Sequence, residues 1–304
     1  FNTEYGVVET TYTEADESYA AKRRSQKSGV RTRQLPGVSP LVFSRFLLEK
    51  TAFLSLSDMG KALPSYEEIP IACRMEEVVQ TEYKRIEDAL VRVLQSDRRA
   101  AQKILSAYLN LLTVYPDQPY DQKPILYPDS DVPIVEPENI GDADTLGEKE
   151  QRTLEIVRAA IQNGERALIY TSWVRTDSQQ KLKKLLTDEG YRTEILTNKI
   201  KTTNREEWVQ KKLAAGMQVL IVNPSLVETG LDLNAFTTLV FYSMGYKLFT
   251  LRQASRRSWR INQKAPAVKV YMLYYEDTMQ QKCLKLMASK LAVAGLIEGN
   301  FSEE

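Results

Sequence analysis

Along residues 146–295, short apolar runs alternate with segments whose apolar positions recur every three or four residues. The runs in "RALIYTSW", "QVLIVN" and "TLVFY" are apolar on both faces, which suits strands of a parallel sheet covered by helices on both sides. "RTEIL" and "AVKVYMLYY" add two more strands. Between them, "EKEQRTLEIVRAAIQNG", "SQQKLKKLLTDEG", "NREEWVQKKLAAG", "LFTLRQASRRSW" and "TMQQKCLKLMASKLAVAG" carry the helical period. The pattern predicts an α/β domain with a doubly wound parallel sheet. Residues 38–112 read as mostly helical. Ser39 and Pro40 suit the cap and first position of a helix. "IPIACRM" reads as extended, and Val79, Tyr83, Ile86, Leu90 and Val93 form one apolar stripe on a long helix.

The flanking zones differ in composition. Residues 1–37 are polar, running from Thr- and Glu-rich to strongly basic in "AKRRSQKSGVRTRQLPG", and read as a poorly packed, partly flexible insertion. Residues 113–145 hold six of the twelve prolines and more acidic than basic residues. Because proline fixes φ and removes a donor, they read as an extended linker draped over a surface. Residues 296–304 form a tail. The net charge of +1 places any nucleic-acid binding in local basic patches. With no histidine, His-based triads, bases and metal sites are excluded. Cys73 and Cys283 lie far apart without a CxxC partner, so no metal site is expected and both read as buried thiols in a reducing compartment. No apolar run reaches membrane-spanning length and no signal-peptide pattern opens the chain, so a cytoplasmic protein without a membrane partner is expected. Since it opens on Phe1, the sequence is read as a fragment or processed chain.

Ligands of open α/β sheets bind outside the carboxyl ends of the strands, which directs attention to the polar residues after each apolar run. "LIYTSW" places Thr171, Ser172 and Trp173 there, suited to phosphate contact with aromatic packing, or equally to a capped turn. "LIVNPSLVETGLDL" supplies Thr229, Gly230 and Asp232: a hydroxyl, a residue that lets backbone approach a ligand, and a carboxylate able to accept from a ribose hydroxyl. The same residues suit a tight turn with a solvated Asp. "LRQASRRSWRINQ" crowds Arg252, Arg256, Arg257 and Arg260 onto a helix, where like charges at i,i+4 cost about 0.2–0.5 kcal/mol per pair. Guanidinium forks match phosphate oxygens, so an anion would relieve the crowding, as would a network of surface ion pairs.

Taken in order, the hydroxyl-rich segment, "TGLDL" and QxxxRxxR resemble motifs IV, V and VI of superfamily-two helicases, and more closely those of Swi/Snf-type helicase-like ATPases. Gln253, Ala254, Arg257, Arg260 and Gln263 fit motif VI, with Asn262 in place of its Gly and Trp259 where many members have His. Glu228 and Thr229 precede Gly230 in place of a Gly-rich run, and Asp232 replaces an Asn. "LTNKIKTTNR" keeps Arg205 but lacks the usual Gly. "FLLEKTAFLSLSDMGKALPSYEEIPIACRM" resembles the segment leaving the first motor lobe. The resemblance covers most of residues 38–294.

The resemblance implies the second RecA-like lobe of an ATP-dependent DNA helicase or translocase. It makes Arg257 and Arg260 arginine fingers, and assigns Gln253, Gly230 and Asp232 to the nucleotide. Thr171, Ser172, Trp173 and Thr229 would contact DNA, and the arginines of the phosphate clamp would be hydrated or paired with local carboxylates when no nucleotide is present. A phosphate loop of the form GxxxxGK[ST] and a post-strand acidic pair are absent from the sequence. ATP with Mg²⁺ is therefore expected in the intact enzyme, held largely by a first RecA-like lobe of the same protein, and this chain alone is expected to be inactive. These residues do not separate DNA from RNA. Two other readings stand beside this one: an inert nucleic-acid-binding or scaffolding module built on such a lobe, and a nuclease-associated motor.

Overall fold

The computed structural model describes residues 6–13, 29–38, 42, 45–46, 48–50, 63–172, 178–227, 231–243, 245, 254, 258–260 and 263–297. Two compact units result, Phe1–Ser55 with Ala292–Glu304, and Leu56–Leu291.

In the first unit, β1 (Gly6–Thr13) pairs antiparallel with β2 (Gly29–Val38). A poorly packed insertion was expected here, but the β-branched run from Val7 to Thr13 pairs residue for residue with Gly29–Leu35. The register shifts between Gly6 and Val7, leaving Pro36 and Gly37 unpaired in a bulge, where a residue without an N–H costs the ladder nothing. The residues that join the strands, which include most of the basic stretch, lie outside the described residues, as do Ser39 and Pro40.

The second unit opens with β3 (Ser65–Cys73), followed by α1 (Glu77–Ser96) and α2 (Arg98–Val114). The predicted stripe of α1 is buried throughout and packs on Ile104, Tyr108, Leu111 and Tyr115. Asp97 divides the helices: its carboxylate accepts from the amides of Arg99 and Ala100, both at 3.0 Å, capping α2. The Pro-rich segment carries two short antiparallel strands, β4 (Ile125–Leu126) and β5 (Pro133–Val135). It is anchored, not merely draped, because Ile125 and Val135 enter the helical core and Glu82 accepts from the Glu138 amide at 2.8 Å.

There follow α3 (Glu148–Gln162), β6 (Ala167–Tyr170), α4 (Ser178–Asp188), β7 (Thr193–Leu196), α5 (Arg205–Ala214), β8 (Val219–Val222), β9 (Thr238–Phe241), β10 (Ala267–Tyr275) and α6 (Met279–Ile297). The six-stranded sheet has the order β3-β10-β9-β6-β8-β7, and every pairing is parallel. β6, β8 and β9 are buried on both faces, as their unbroken apolar runs require. Leu168, Tyr170, Leu220, Val222, Leu239 and Phe241 face one core; Ala167, Ile169, Val219, Ile221 and Val240 face the other. One boundary moves. Residues 65–73, expected in a segment leaving another lobe, form the edge strand of this sheet, in register with β10 from Ser65 to Cys73.

Candidate functional site

The sheet reverses its winding at β6, which lies between β8 and β9, so the crevice such folds use for ligands opens beyond these three strands. Their carboxyl ends are joined by a polar network. The Ser172 amide donates to Ser243 Oγ at 2.8 Å, and Ser172 Oγ donates to the Ser243 carbonyl at 3.0 Å. Asn223 Nδ2 donates to the Ser172 carbonyl at 3.1 Å, while its Oδ1 accepts from Ser225 Oγ at 2.6 Å. Asn223 and Ser243 were not singled out from the sequence. Their signal was position alone, each being a polar residue at the end of an apolar run. Thr171 corrects an expectation: it is 0% exposed, and its hydroxyl accepts from Gln179 Nε2 at 2.7 Å, so its side chain is a buried anchor and not a phosphate contact. Ser172 stays half-buried at the lip. Trp173 lies outside the described residues.

A second cluster lies at the opposite end of the strands. The second and third polar segments follow β8 and β9 in the chain as expected, and their described parts, Leu231–Asn234 and Ser258–Gln263, go on to lead into β9 and β10. These two segments are bonded together. Ser258 Oγ donates to the Leu233 carbonyl at 3.0 Å, Arg260 Nη2 approaches the Leu231 carbonyl at 3.4 Å, and Gln263 Nε2 donates to the Asn234 carbonyl at 2.9 Å. Arg260 is thus half-buried and directed at backbone oxygen, where hydration or a carboxylate partner was expected. Asp232 closes a turn, its Oδ1 accepting from the Asn234 amide at 3.1 Å, while its own amide donates to Glu206 Oε2 at 2.9 Å. Arg205, beside Glu206 on α5, donates to the Leu226 carbonyl at 2.8 Å and fixes the path out of β8. Thr229, Gly230, Gln253 and Arg257 lie outside the described residues, as do Arg252 and Arg256. Ala254 is described and buried; its carbonyl accepts from the Tyr170 hydroxyl at 3.0 Å, tying the arginine-bearing segment to the central strand.

A charged node that the sequence did not announce sits at the carboxyl ends of β9 and β10. Lys149 Nζ meets Asp117 Oδ1 at 2.7 Å and Gln280 Oε1 at 3.1 Å, with the two charged side chains 0% and 1% exposed. The ammonium also lies 4.6 Å from the Tyr242 ring centre and 5.4 Å from that of Tyr275. Nearby, Glu150 accepts from Lys181 at 2.6 Å and from the Tyr242 hydroxyl at 2.9 Å. Burial pushes both tyrosines well above their ordinary range and pushes the Asp117 carboxyl up, against the pull of Lys149. Asp117 and Glu150 also line a cavity of about 40 Å³ with Tyr120, Thr145 and Tyr275. The sequence marks "EKEQRTLEIVRAAIQNG" as a helix, and only the fold reveals that Lys149 points inward.

Residues 148–262 match the model of the helicase conserved C-terminal domain. Comparison with curated proteins finds no match. Among solved structures, the C-terminal part of the Fun30 ATPase domain superposes with a TM-score of 0.58 at 13% identity, covering 78% of this chain and 96% of that one. The Sulfolobus solfataricus SWI2/SNF2 ATPase core in complex with dsDNA gives 0.56 at 19% identity over 78% of this chain, which spans only 47% of that core. The C-terminal domain of the Sulfolobus solfataricus SWI2/SNF2 ATPase gives 0.53 at 18% identity, covering 75% and 87% of the two chains. The α/β unit therefore has the RecA-like fold of the second lobe of Swi2/Snf2-type ATPases.

Proposed function

We propose that this chain supplies the second motor lobe of an ATP-dependent DNA translocase or helicase-like ATPase. The observation that carries the reading is the bonded pair of segments Leu231–Asn234 and Ser258–Gln263, within the stretch that matches the helicase C-terminal model. Arg260, half-buried with its fork at the surface of that pair, suits a polyphosphate in charge and shape. In this reading Arg257 and Arg260 are the arginine fingers, and Gln253, Gly230 and Asp232 line the nucleotide. A first RecA-like lobe of the same protein cradles the phosphates and holds Mg²⁺. When bound, Mg²⁺ neutralises charge on the phosphates; this chain's part is to bring guanidinium charge to them and to exclude water as the lobes close.

Nucleic acid occupies the other end of the sheet. Ser172 contacts the DNA backbone there, supported by Asn223, Ser225, Ser243 and the buried Thr171; Trp173 and Thr229 are assigned to DNA by the motif resemblance alone. The dsDNA in the Sulfolobus core complex supports DNA as the partner. With a net charge of +1, binding by this chain alone is weak and salt-sensitive.

The test is Arg260→Ala in the intact protein, assayed for DNA-stimulated ATP hydrolysis. The expected loss is about 10³-fold or more, the scale of an arginine finger. Turnover within about threefold of wild type would sink the assignment, since fingers are worth far more. This chain by itself is expected to hydrolyse ATP negligibly, with or without DNA. Steady turnover by the purified chain would contradict the division of the site between two lobes and favour a self-sufficient enzyme.

A further inference from the structure

We propose that Trp259 is the positioning residue of the arginine arm, holding Arg260 against the Leu231 backbone by docking on the edge strand β3; this rests on the arginine-finger reading above. Three consecutive residues face two ways. Ser258 and Arg260 reach the Leu233 and Leu231 carbonyls. Trp259, between them, donates its indole N–H to the Pro64 carbonyl at 2.8 Å and packs its ring against Tyr66 at 5.0 Å, tilted by 41°. The tripeptide is thus clamped between the segment entering β9 and the segment entering β3. Neither jaw is loose. Ser65, next to Pro64, donates its amide to the Pro266 carbonyl at 2.9 Å, and β3 is paired with β10 along its length. Leu231 and Leu233 are buried in the core of that face, and Tyr66 and Trp259 pack against the same core.

The geometry assigns Trp259 its role by elimination of slack. The Arg260 bond to Leu231 is long at 3.4 Å and cannot fix a flexible guanidinium stem alone. Ser258 is 0% exposed and pins one side of the Trp259 backbone. Downstream, the Arg260 carbonyl accepts from the Gln263 amide at 3.0 Å, so the indole's part is to tie the middle of this segment to β3 and limit the travel of the arginine stem. An indole suits this place because it combines a wide apolar face for Tyr66 with one N–H for the Pro64 carbonyl. It also gives β3, some two hundred positions upstream, a task beyond closing the sheet: its first residues are the platform on which the arm rests.

Three variants of the intact protein test this: Trp259→Phe, Arg260→Ala and the double variant. Phe keeps a ring for Tyr66 and removes only the N–H. Amide hydrogen exchange across residues 231–234 and 258–263 is expected to quicken about fivefold in Trp259→Phe, the worth of one neutral hydrogen bond, with little change in β6 or β8. DNA-stimulated kcat is expected to fall about tenfold while KM for ATP changes less than about twofold, because the lost contact matters where charge develops on the phosphates. In the Arg260→Ala background the same Phe substitution should have no further effect on kcat. Unchanged exchange in Trp259→Phe overturns the proposal. So does unchanged kcat where Arg260→Ala abolishes turnover, or a loss that persists in the double variant. If Arg260→Ala itself leaves turnover intact, the arginine-finger reading fails, and the exchange measurement alone decides whether Trp259 positions this segment.

Discussion

Removing the Lys149 ammonium is the most direct perturbation of the charged node. In Lys149→Met a flexible apolar chain of similar length replaces it, leaving Asp117 in a site where its side chain is 1% exposed. Among the described residues Asp117 Oδ2 has no hydrogen-bond partner, and Oδ1 loses its charged donor. Breaking a buried pair by deleting one partner costs about 3–5 kcal/mol. The Gln280 bond and the two tyrosine-ring contacts are lost with it. Against a total stability of about 5–15 kcal/mol this is a large fraction, equivalent to a drop in Tm of roughly 6–20 °C. The effect should also depend on pH in a defined sense. Burial, foremost, and the nearby Glu150 raise the Asp117 carboxyl, and in the variant only the Gln280 side chain still opposes them. A group whose folded pKa is raised favours the folded state at low pH and loses that contribution as pH rises through the folded value. The deficit of Lys149→Met relative to wild type should therefore shrink on acidification from about pH 8 to about pH 5. Replacing both charges, in Lys149→Met with Asp117→Leu, should recover most of the loss, because a well-packed apolar pair often equals a buried ion pair. Urea denaturation of wild type and the two variants at several pH values measures all of this. A loss below about 1 kcal/mol that does not vary with pH would refute the claim that the node is a buried ion pair.

Glu82→Gln tests how the Pro-rich segment is held. Burial alone would raise the Glu82 carboxyl, but Arg85 at 2.6 Å and the Glu138 amide at 2.8 Å outweigh it and hold it below its ordinary value. The substitution should cost about 1–3 kcal/mol near neutral pH, and the difference from wild type should vanish as pH falls through the folded value, below the usual carboxylate range; urea midpoints across that range check it. Thr171→Val should lower stability by about 1 kcal/mol through loss of the Gln179 bond while leaving the salt slope of DNA binding unchanged. A reduced slope in a titration at varied salt would restore Thr171 as a phosphate contact. Gly164 and Gly216 both adopt positive φ, at 75° and 88°, so either Gly→Ala change should cost about 1–2 kcal/mol from the backbone alone. A Cβ at Gly164 meets nothing within 4 Å, and one at Gly216 would lie 2.3 Å from Arg192 Nη1, the far end of a flexible side chain that can move aside, so thermal melts should give the two substitutions similar costs.

Much of the fold was legible because its core strands are unambiguous. "ALIY", "VLIV" and "LVFY" can be stable only in a sheet covered on both faces, and each became a four-residue strand buried at every position or continued directly into one. The α1 stripe was equally plain, since Val79, Tyr83, Ile86, Leu90 and Val93 are all buried. What escaped were features set by long-range pairing. Nothing local tells that Ser65–Cys73 adds an edge to a sheet whose next strand begins at Ala267. Nor does the basic and Thr-rich start disclose a hairpin, because its pairing depends on a bulge at Pro36 and Gly37. For the site, all three polar segments follow strands in the chain, as sequence order suggested. Chain direction resolves them into two groups: Ser172 ends β6, while Asp232 and Arg260 precede β9 and β10. Thr171 shows the same limit on a smaller scale, since a hydroxyl after a strand can point to solvent or to a helix, and Gln179 decides which.

The separation of the two groups bears on how such a lobe would couple nucleotide to nucleic acid. Hydroxyls at the carboxyl end of β6 and an arginine arm at the amino ends of β9 and β10 cannot share one ligand; they need a mechanical link. The Tyr170 hydroxyl provides one, since it is on the last residue of β6, adjacent to Thr171, and it donates to the Ala254 carbonyl at 3.0 Å within the segment that leads to Arg260. Its ring stacks on Phe241 of β9 at 4.7 Å, so the contact is held within the rigid centre of the sheet. In the translocase reading proposed above, a displacement of the segment that leads to Arg260 would reach the residue beside the carboxyl-end network through this hydrogen bond and strand. Tyr170→Phe removes that bond and keeps the ring. In the translocase reading it should leave basal ATP turnover nearly unchanged and reduce its stimulation by DNA. Equal loss of basal and stimulated rates would mean that Tyr170 supports the arm alone and that coupling runs by another route.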